Sequence, residues 1–134
     1  MIKKQFTIFL ENKPGALAKV TRHLSREKIN IEAISVAASI DMSLVQILAS
    51  NSGVTRKILK KLGISFSVQD VSLLPLPNAP GSLGRVVSEL AKAGVNINYI
   101  YATGNVSKSG VKDYVVISAP DLAAVEACWE KVND

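Results

Sequence analysis

The 134 residues hold one cysteine, one histidine and one tryptophan. The lone Cys128 excludes an internal disulfide and any multi-cysteine metal site; it lies among apolar helix positions and reads as a small core residue. Aromatics are scarce, with three Phe and three Tyr beside the single Trp, so a core must be built from Val, Ile, Leu and Ala. No apolar run approaches the roughly 18 residues of a membrane span. The segment "MIKKQFTIFLENKPG" has two lysines but no signal-peptide core and no small-residue cleavage site. A cytoplasmic protein without membrane contact is expected. The chemistry of an enzyme is also missing: no Ser/His/Asp or Cys/His set is assembled, and no Gly-rich phosphate loop with a lysine appears. Asp41, Asp113 and Asp121 fall in expected turns and caps, and no two carboxylates stand in an acid/base relationship. The sequence therefore predicts no catalytic residue, no cofactor and no bound metal.

What is present is the composition of a folded chain, 48% hydrophobic and 20% charged. The length suits one ordinary domain or two very small ones. The net charge of +5 is dispersed, and its densest run, "RKILKK" from Arg56 to Lys61, reads as the solvated face of an amphipathic helix.

The decisive feature is a repeat. "ENKPGALAKV" (Glu11 to Val20) returns as "PNAPGSLGRV" (Pro77 to Val86). Asn12 matches Asn78, an offset of 66 positions. Pro14 and Pro80, Gly15 and Gly81, Leu17 and Leu83, Val20 and Val86, Leu24 and Leu90 share it. So do Asn30 and Asn96, Ile31 and Ile97, Ile34 and Ile100, nine identities at one offset. The chain is two copies of one unit. His23, on the first helix, has Glu89 as its counterpart and reads as a surface residue.

Each copy is read by period. "QFTIFL" is a strand with Phe6, Ile8 and Leu10 on one side. After the Asn-x-Pro-Gly turn, Leu17, Val20, Thr21 and Leu24 fall at helical spacing. "INIEAISVAA" and "SLVQILAS" are strands joined by a turn near Asp41. "VTRKILKKL" is a helix ended by Gly63 at C′, and "ISFSVQ" a fourth strand. The second copy gives "VSLLPL" as strand, Pro80 to Ala93 as helix and "VNINYIYAT" as strand. "NVSKSGVK" is a turn, "DYVVISA" a strand and "DLAAVEACWEKV" a helix with Leu122, Val125, Trp129 and Val132 as its stripe. The fold class is α+β: two ferredoxin-like βαββαβ units in tandem, 1–70 and 71–134, the second (βαββα) lacking its last strand. That open place is filled by a partner chain or by the first unit, or the sheet ends early. No linker separates the copies, and Pro75 and Pro77 confine their strand to an edge or to its own end.

Each repeated loop joins a strand to a helix. A helix start offers unpaired N–H groups and partial positive charge, which suit a carboxylate or phosphate. Glycine admits close approach to the backbone, and Asn supplies donors and an acceptor. The same residues also serve plain capping and turn formation, with Asn as N-cap. Asn30 and Asn96 open the second strand of each copy, where turn chemistry is again the plainer alternative.

The Asn-x-Pro-Gly-x-Leu loop, its helix and the "INI" or "VNI" strand resemble ACT domains, small regulatory modules of amino-acid metabolism. The resemblance spans the chain twice over, save for the absent strand. It implies a stand-alone tandem pair that binds a free amino acid where units meet. In the serine-binding regulatory domain of phosphoglycerate dehydrogenase, an Asn before Pro-Gly and an Asn opening the second strand hold the effector. These match Asn12 and Asn30, then Asn78 and Asn96. The residues implied to face a ligand are Pro14, Gly15, Ala16 and Leu17 in one copy, and Pro80, Gly81, Ser82 and Leu83 in the other. That domain carries a histidine where this chain has Leu10 and Leu76, so the effector is left open. Tyr99 and Tyr101 replace Ala33 and Ser35. They would wall an apolar pocket with a hydroxyl at its edge, or else cover the sheet at a subunit contact.

The resemblance implies a sensor whose ligand shifts its assembly, as a homodimer. The alternative is a non-catalytic subunit docked on a metabolic enzyme. RNA-recognition domains share the element order but stack bases on strand aromatics, which "SLVQILAS" lacks; a nucleic-acid partner is not expected.

Overall fold

A computed structural model of the protein describes residues 1–103 and 112–133. The first copy contains β1 (Ile2–Glu11), α1 (Ala16–Arg26), β2 (Ile31–Ala38), β3 (Met42–Ala49) and α2 (Ser52–Lys61). Then come β4 (Phe66–Pro77), α3 (Ser82–Lys92), β5 (Tyr99–Thr103), β6 (Lys112–Ser118) and α4 (Leu122–Asn133). The chain forms two compact units, Lys4–Gln69 and Met1–Lys3 together with Asp70–Asp134.

In the unit Lys4–Gln69 the strands lie in the order β2-β3-β1-β4, with β3 antiparallel to both neighbours. Alternation along β1 sends Phe6, Ile8 and Leu10 to one face. There they are buried with Val20 and Leu24 of α1, Val45 and Ile47 of β3, and Leu59 of α2. The Phe66 ring adds to this core, 5.8 Å from that of Phe6. The Asn51 side chain starts α2 by accepting from the Val54 N–H at 3.0 Å. Its end is the expected glycine cap: Gly63 takes φ 69° and the Ile64 N–H reaches back to the Leu59 carbonyl. The same motif closes α1, where a lysine fills the left-handed position. Lys28 has φ 57°, and the Ile29 N–H bonds the Leu24 carbonyl.

The second unit carries β4-β6-β5, with β6 antiparallel to both. Its core joins Leu74 and Leu76, Val115 and Ile117, Val86 and Leu90 of α3, and Val125 of α4. Cys128, Trp129 and Val132 pack against it, as the stripe of the last helix led one to expect. The place of the missing fourth strand is taken by the start of β1. Met1 accepts from the Leu73 N–H at 2.8 Å and donates to the Leu73 carbonyl at 3.2 Å. A residue that exchanges both bonds directs its backbone to that side, and so do the residues two and four further on. These are Pro75 and Pro77, which lie past Met1, so no ladder bond is lost to their missing N–H. The Pro75 carbonyl accepts instead from the Trp129 indole at 2.9 Å.

Three boundaries differ from the sequence reading. The strands expected at 64–69 and 71–76 are one, β4, because no turn residue interrupts them. Helix α3 starts at Ser82 and not at Pro80, since Pro80 and Gly81 form the turn before it. Strand β5 starts only at Tyr99: Gly94, with φ 71°, closes α3 and the Val95 N–H is bonded to Leu90. The turn expected at 105–112 lies outside the described residues, apart from Lys112 in β6.

Candidate functional site

The doubled loop has one conformation, built twice. The Ala16 N–H bonds the Lys13 carbonyl at 3.3 Å, and the Ser82 N–H bonds the Ala79 carbonyl at 3.2 Å. Gly15 has φ 87° and ψ −14°, and Gly81 has φ 87° and ψ −9°. Proline followed by a positive-φ glycine inside such a bond is a type II turn. Pro and Gly are thus spelled out by the turn, and each glycine becomes the N-cap of the helix behind it.

The asparagines do not cap those helices. Asn12 instead ties its loop to the turn between β2 and β3. Its Nδ2 donates to the Ser39 carbonyl at 2.8 Å, and its N–H donates to the Asp41 carbonyl at 2.8 Å. No side chain caps α1 or α3. The other two helices are capped, α2 by Asn51 and α4 by Asp121, whose Oδ1 accepts from the Ala124 N–H at 3.0 Å. The type II turns take the Ala16 and Ser82 N–H groups, and no side chain closes the amides that follow them in the first turns of α1 and α3, whereas α2 and α4 each have one amide closed by a side chain.

Beside the first loop lies a cavity of about 530 Å³. Its walls include Pro14, Gly15 and Ala16, the end of β1 at Leu10 and Glu11, and Gly63 to Ser65 ahead of β4. Lys13, Lys19 and Arg22 bring positive charge to it. Lys13 Nζ pairs with Glu11 Oε2 at 2.9 Å. That hydrogen bond, with the lysine's charge, holds the Glu11 carboxyl below the usual carboxylate range. Asn12, Leu17 and Asn30 are not among the walls: Leu17 packs against the core, and the Asn30 backbone pairs with Ser50.

At the second loop Asn78, Pro80, Gly81 and Leu83 are exposed. Ser82 is buried, and its Oγ has no hydrogen-bond partner among the described residues. The Arg85 guanidinium lies 3.8 Å from where a side chain on Gly81 would begin. Asn96 stands three residues ahead of β5 and does not open it. Tyr99 and Tyr101 share the face of β5 opposite Ile100, which packs on the core. Their rings are stacked at 6.4 Å, and burial, then the neighbouring phenol, pushes the Tyr101 hydroxyl pKa upward.

The sequence reading found the loops but missed the cations. A signal was there: Gly15, Lys19 and Arg22 fall at helical i, i+4, i+7 spacing. Lys19 also has a cation, Arg85, at its repeat position.

Among the described residues no helix is long and apolar enough to cross a membrane, and no cluster of three metal-binding side chains occurs. No curated protein matches the chain. Among solved structures, a protein from Bacteroides thetaiotaomicron is 32% identical, with 98% of this chain and 88% of that one covered at a TM-score of 0.88. The regulatory subunit of aspartate kinase from Thermus thermophilus shares the fold at 17% identity and a TM-score of 0.67, covering 98% of this chain and 92% of that one. The family model described as an ACT domain pair matches residues 1–116. With its two type II loops, its paired units and that match over most of its length, the chain belongs to the ACT-domain-pair family.

Proposed function

We propose that the protein is a regulatory sensor that binds a free amino acid at its Asn-x-Pro-Gly loops, with binding coupled to assembly as a homodimer. One observation carries the reading: the chain caps α2 and α4 with side chains and leaves the repeated-loop helices α1 and α3 uncapped. An uncapped first turn retains donors and partial positive charge for a carboxylate. Pro14, Gly15 and Ala16 bound a cavity large enough for such a ligand, and Asn12 holds that loop in place. Ser82 offers the second loop a buried hydroxyl in search of a partner. Asn30, Asn78, Asn96, Leu17, Leu83, Pro80, Gly81, Tyr99 and Tyr101 complete the two sites in this proposal. Membership of a regulatory family supports a role in sensing and not in catalysis. The edge strand β2 exposes Ile34 and Val36, which supports a second copy as partner.

The test is thermal unfolding of the purified protein against each of the twenty amino acids at millimolar concentration. A ligand at 100 times its dissociation constant adds about 2.7 kcal/mol, a shift of several degrees. The shift should vanish in Gly15→Val or Gly81→Val, and sedimentation velocity should show a ligand-dependent change in mass. A protein whose unfolding and mass ignore all twenty would refute the reading. A second reading, a subunit docked on a metabolic enzyme, draws on the architecture shared with regulatory subunits of aspartate kinase. An enzyme that co-purifies stoichiometrically while no amino acid binds would favour it.

A further inference from the structure

Charge around the first-loop cavity is unevenly matched. Glu11 and Lys13 satisfy each other at 2.9 Å. Lys19 and Arg22 line the same cavity, and neither meets a carboxylate among the described residues. The two are three residues apart on α1, so they are neighbours of like charge, an arrangement that disfavours the helix. They also lie in its first two turns, where the helix end is already positive. An anion with two acidic groups would reverse both penalties.

The second copy lacks this arrangement. Arg85 keeps the position of Lys19, but Ser88 replaces Arg22, Pro77 replaces Glu11 and Ala79 replaces Lys13. The carboxylate next to Ser88, Glu89, is already held by Lys92 at 2.9 Å and Lys131 at 2.7 Å. The pair of unmatched cations is a property of the first site.

We infer that the first-loop cavity takes an acidic amino acid, a ligand with one ammonium and two carboxylates. This rests on the amino-acid-sensing reading above and names the ligand class for one of its two loops. One carboxylate is received by Lys19 and by the first-turn amides of α1 beyond Ala16, which no side chain caps. The other is received by Arg22, whose planar fork suits a carboxylate bidentately. The ammonium is received on the same wall by Glu11 Oε1, the oxygen that the Lys13 pair does not use. A neutral amino acid leaves Arg22 unanswered, and a dicarboxylate without an ammonium places an extra anion beside Glu11. The volume of about 530 Å³ admits either length of acidic side chain.

The experiment is calorimetric titration of the full chain with L-aspartate, L-glutamate, their amides L-asparagine and L-glutamine, succinate and inorganic phosphate. The expected result is an acidic amino acid that binds at least tenfold tighter than its own amide, succinate or phosphate. Arg22→Gln should weaken the acid at least tenfold and the amide less than twofold, with the ligand-free unfolding temperature not lowered. An amide that binds as tightly as its acid overturns this inference and leaves the sensing reading standing. Succinate or phosphate binding as tightly as the amino acid overturns it as a general anion site. If no amino acid of any class binds, both readings fall.

Discussion

Lys28 and Gly94 occupy the same position of the repeat and the same left-handed backbone, φ 57° and 71°. Each is the C′ residue of a helix end. A residue with a Cβ pays roughly 1–2 kcal/mol in this region, and glycine pays little there but loses more freedom on folding, about 0.4–1 kcal/mol. The net difference is about 1 kcal/mol in favour of glycine. Lys28 is exposed, and its side chain makes no ion pair or hydrogen bond among the described residues. Nothing stands within 4 Å of a side chain added at Gly94. The backbone term therefore acts alone at both sites. Lys28→Gly should stabilise by about 1 kcal/mol and Gly94→Ala should destabilise by a similar amount. With an unfolding entropy of about 2.1 cal/mol/K per residue, 134 residues convert this to about 3.5 °C in either direction. Paired thermal and urea melts measure both. If Lys28→Gly lowered the midpoint, or Gly94→Ala raised it, the Schellman assignment at these helix ends would be wrong.

Three further outcomes follow from the contacts. Asn51→Ala should lose the cap of α2 and about 1 kcal/mol in urea melts, and Asn51→Asp should retain most of it. Trp129→Phe should lower stability by about 1 kcal/mol, through the lost bond to the Pro75 carbonyl, without changing far-ultraviolet circular dichroism. Tyr101 has its pKa raised above the usual value of 10 by burial. The folded state thus holds its proton longer than the unfolded one, and the associated stability is intact below pH 10 and lost as pH rises beyond it. Ultraviolet titration should show Tyr101 ionising at higher pH in the folded chain than in the urea-unfolded one, and Tyr101→Phe should flatten that alkaline limb.

The fold was legible because its evidence is periodic. Phe6, Ile8 and Leu10 alternate, Val20 and Leu24 stack one turn apart, and the 66-residue offset fixes the second copy from the first. The hand-over at residues 95–98 was not legible, because "VNINYIYAT" has strand composition throughout. Its first residues are claimed by the end of α3, a tertiary demand that composition does not carry. The role of Asn12 was hidden for a related reason. A cap and a cross-loop tie use the same amide, and only the proximity of Ser39, distant in sequence, separates them. Lys19 and Arg22 were overlooked because they are exposed like any charged helix face; their significance comes from the cavity they line together with Gly63 to Ser65, which are distant in sequence.

The bond between Met1 and Leu73 spans 72 positions. For folding this is a matter of timing. Met1 leaves the ribosome well before Leu73, so it waits for a strand made later and the second unit acquires its outer strand by a long closure. Against a loop of ~10 residues that is nearly three doublings of length, about 1.7 kcal/mol of added closure entropy. Pairing at such separation slows folding. The step that seats Met1 beside Leu73 should therefore come late in refolding, after local helices and hairpins have formed. A spectroscopic label at Ile2 would then report slower than one at Val45.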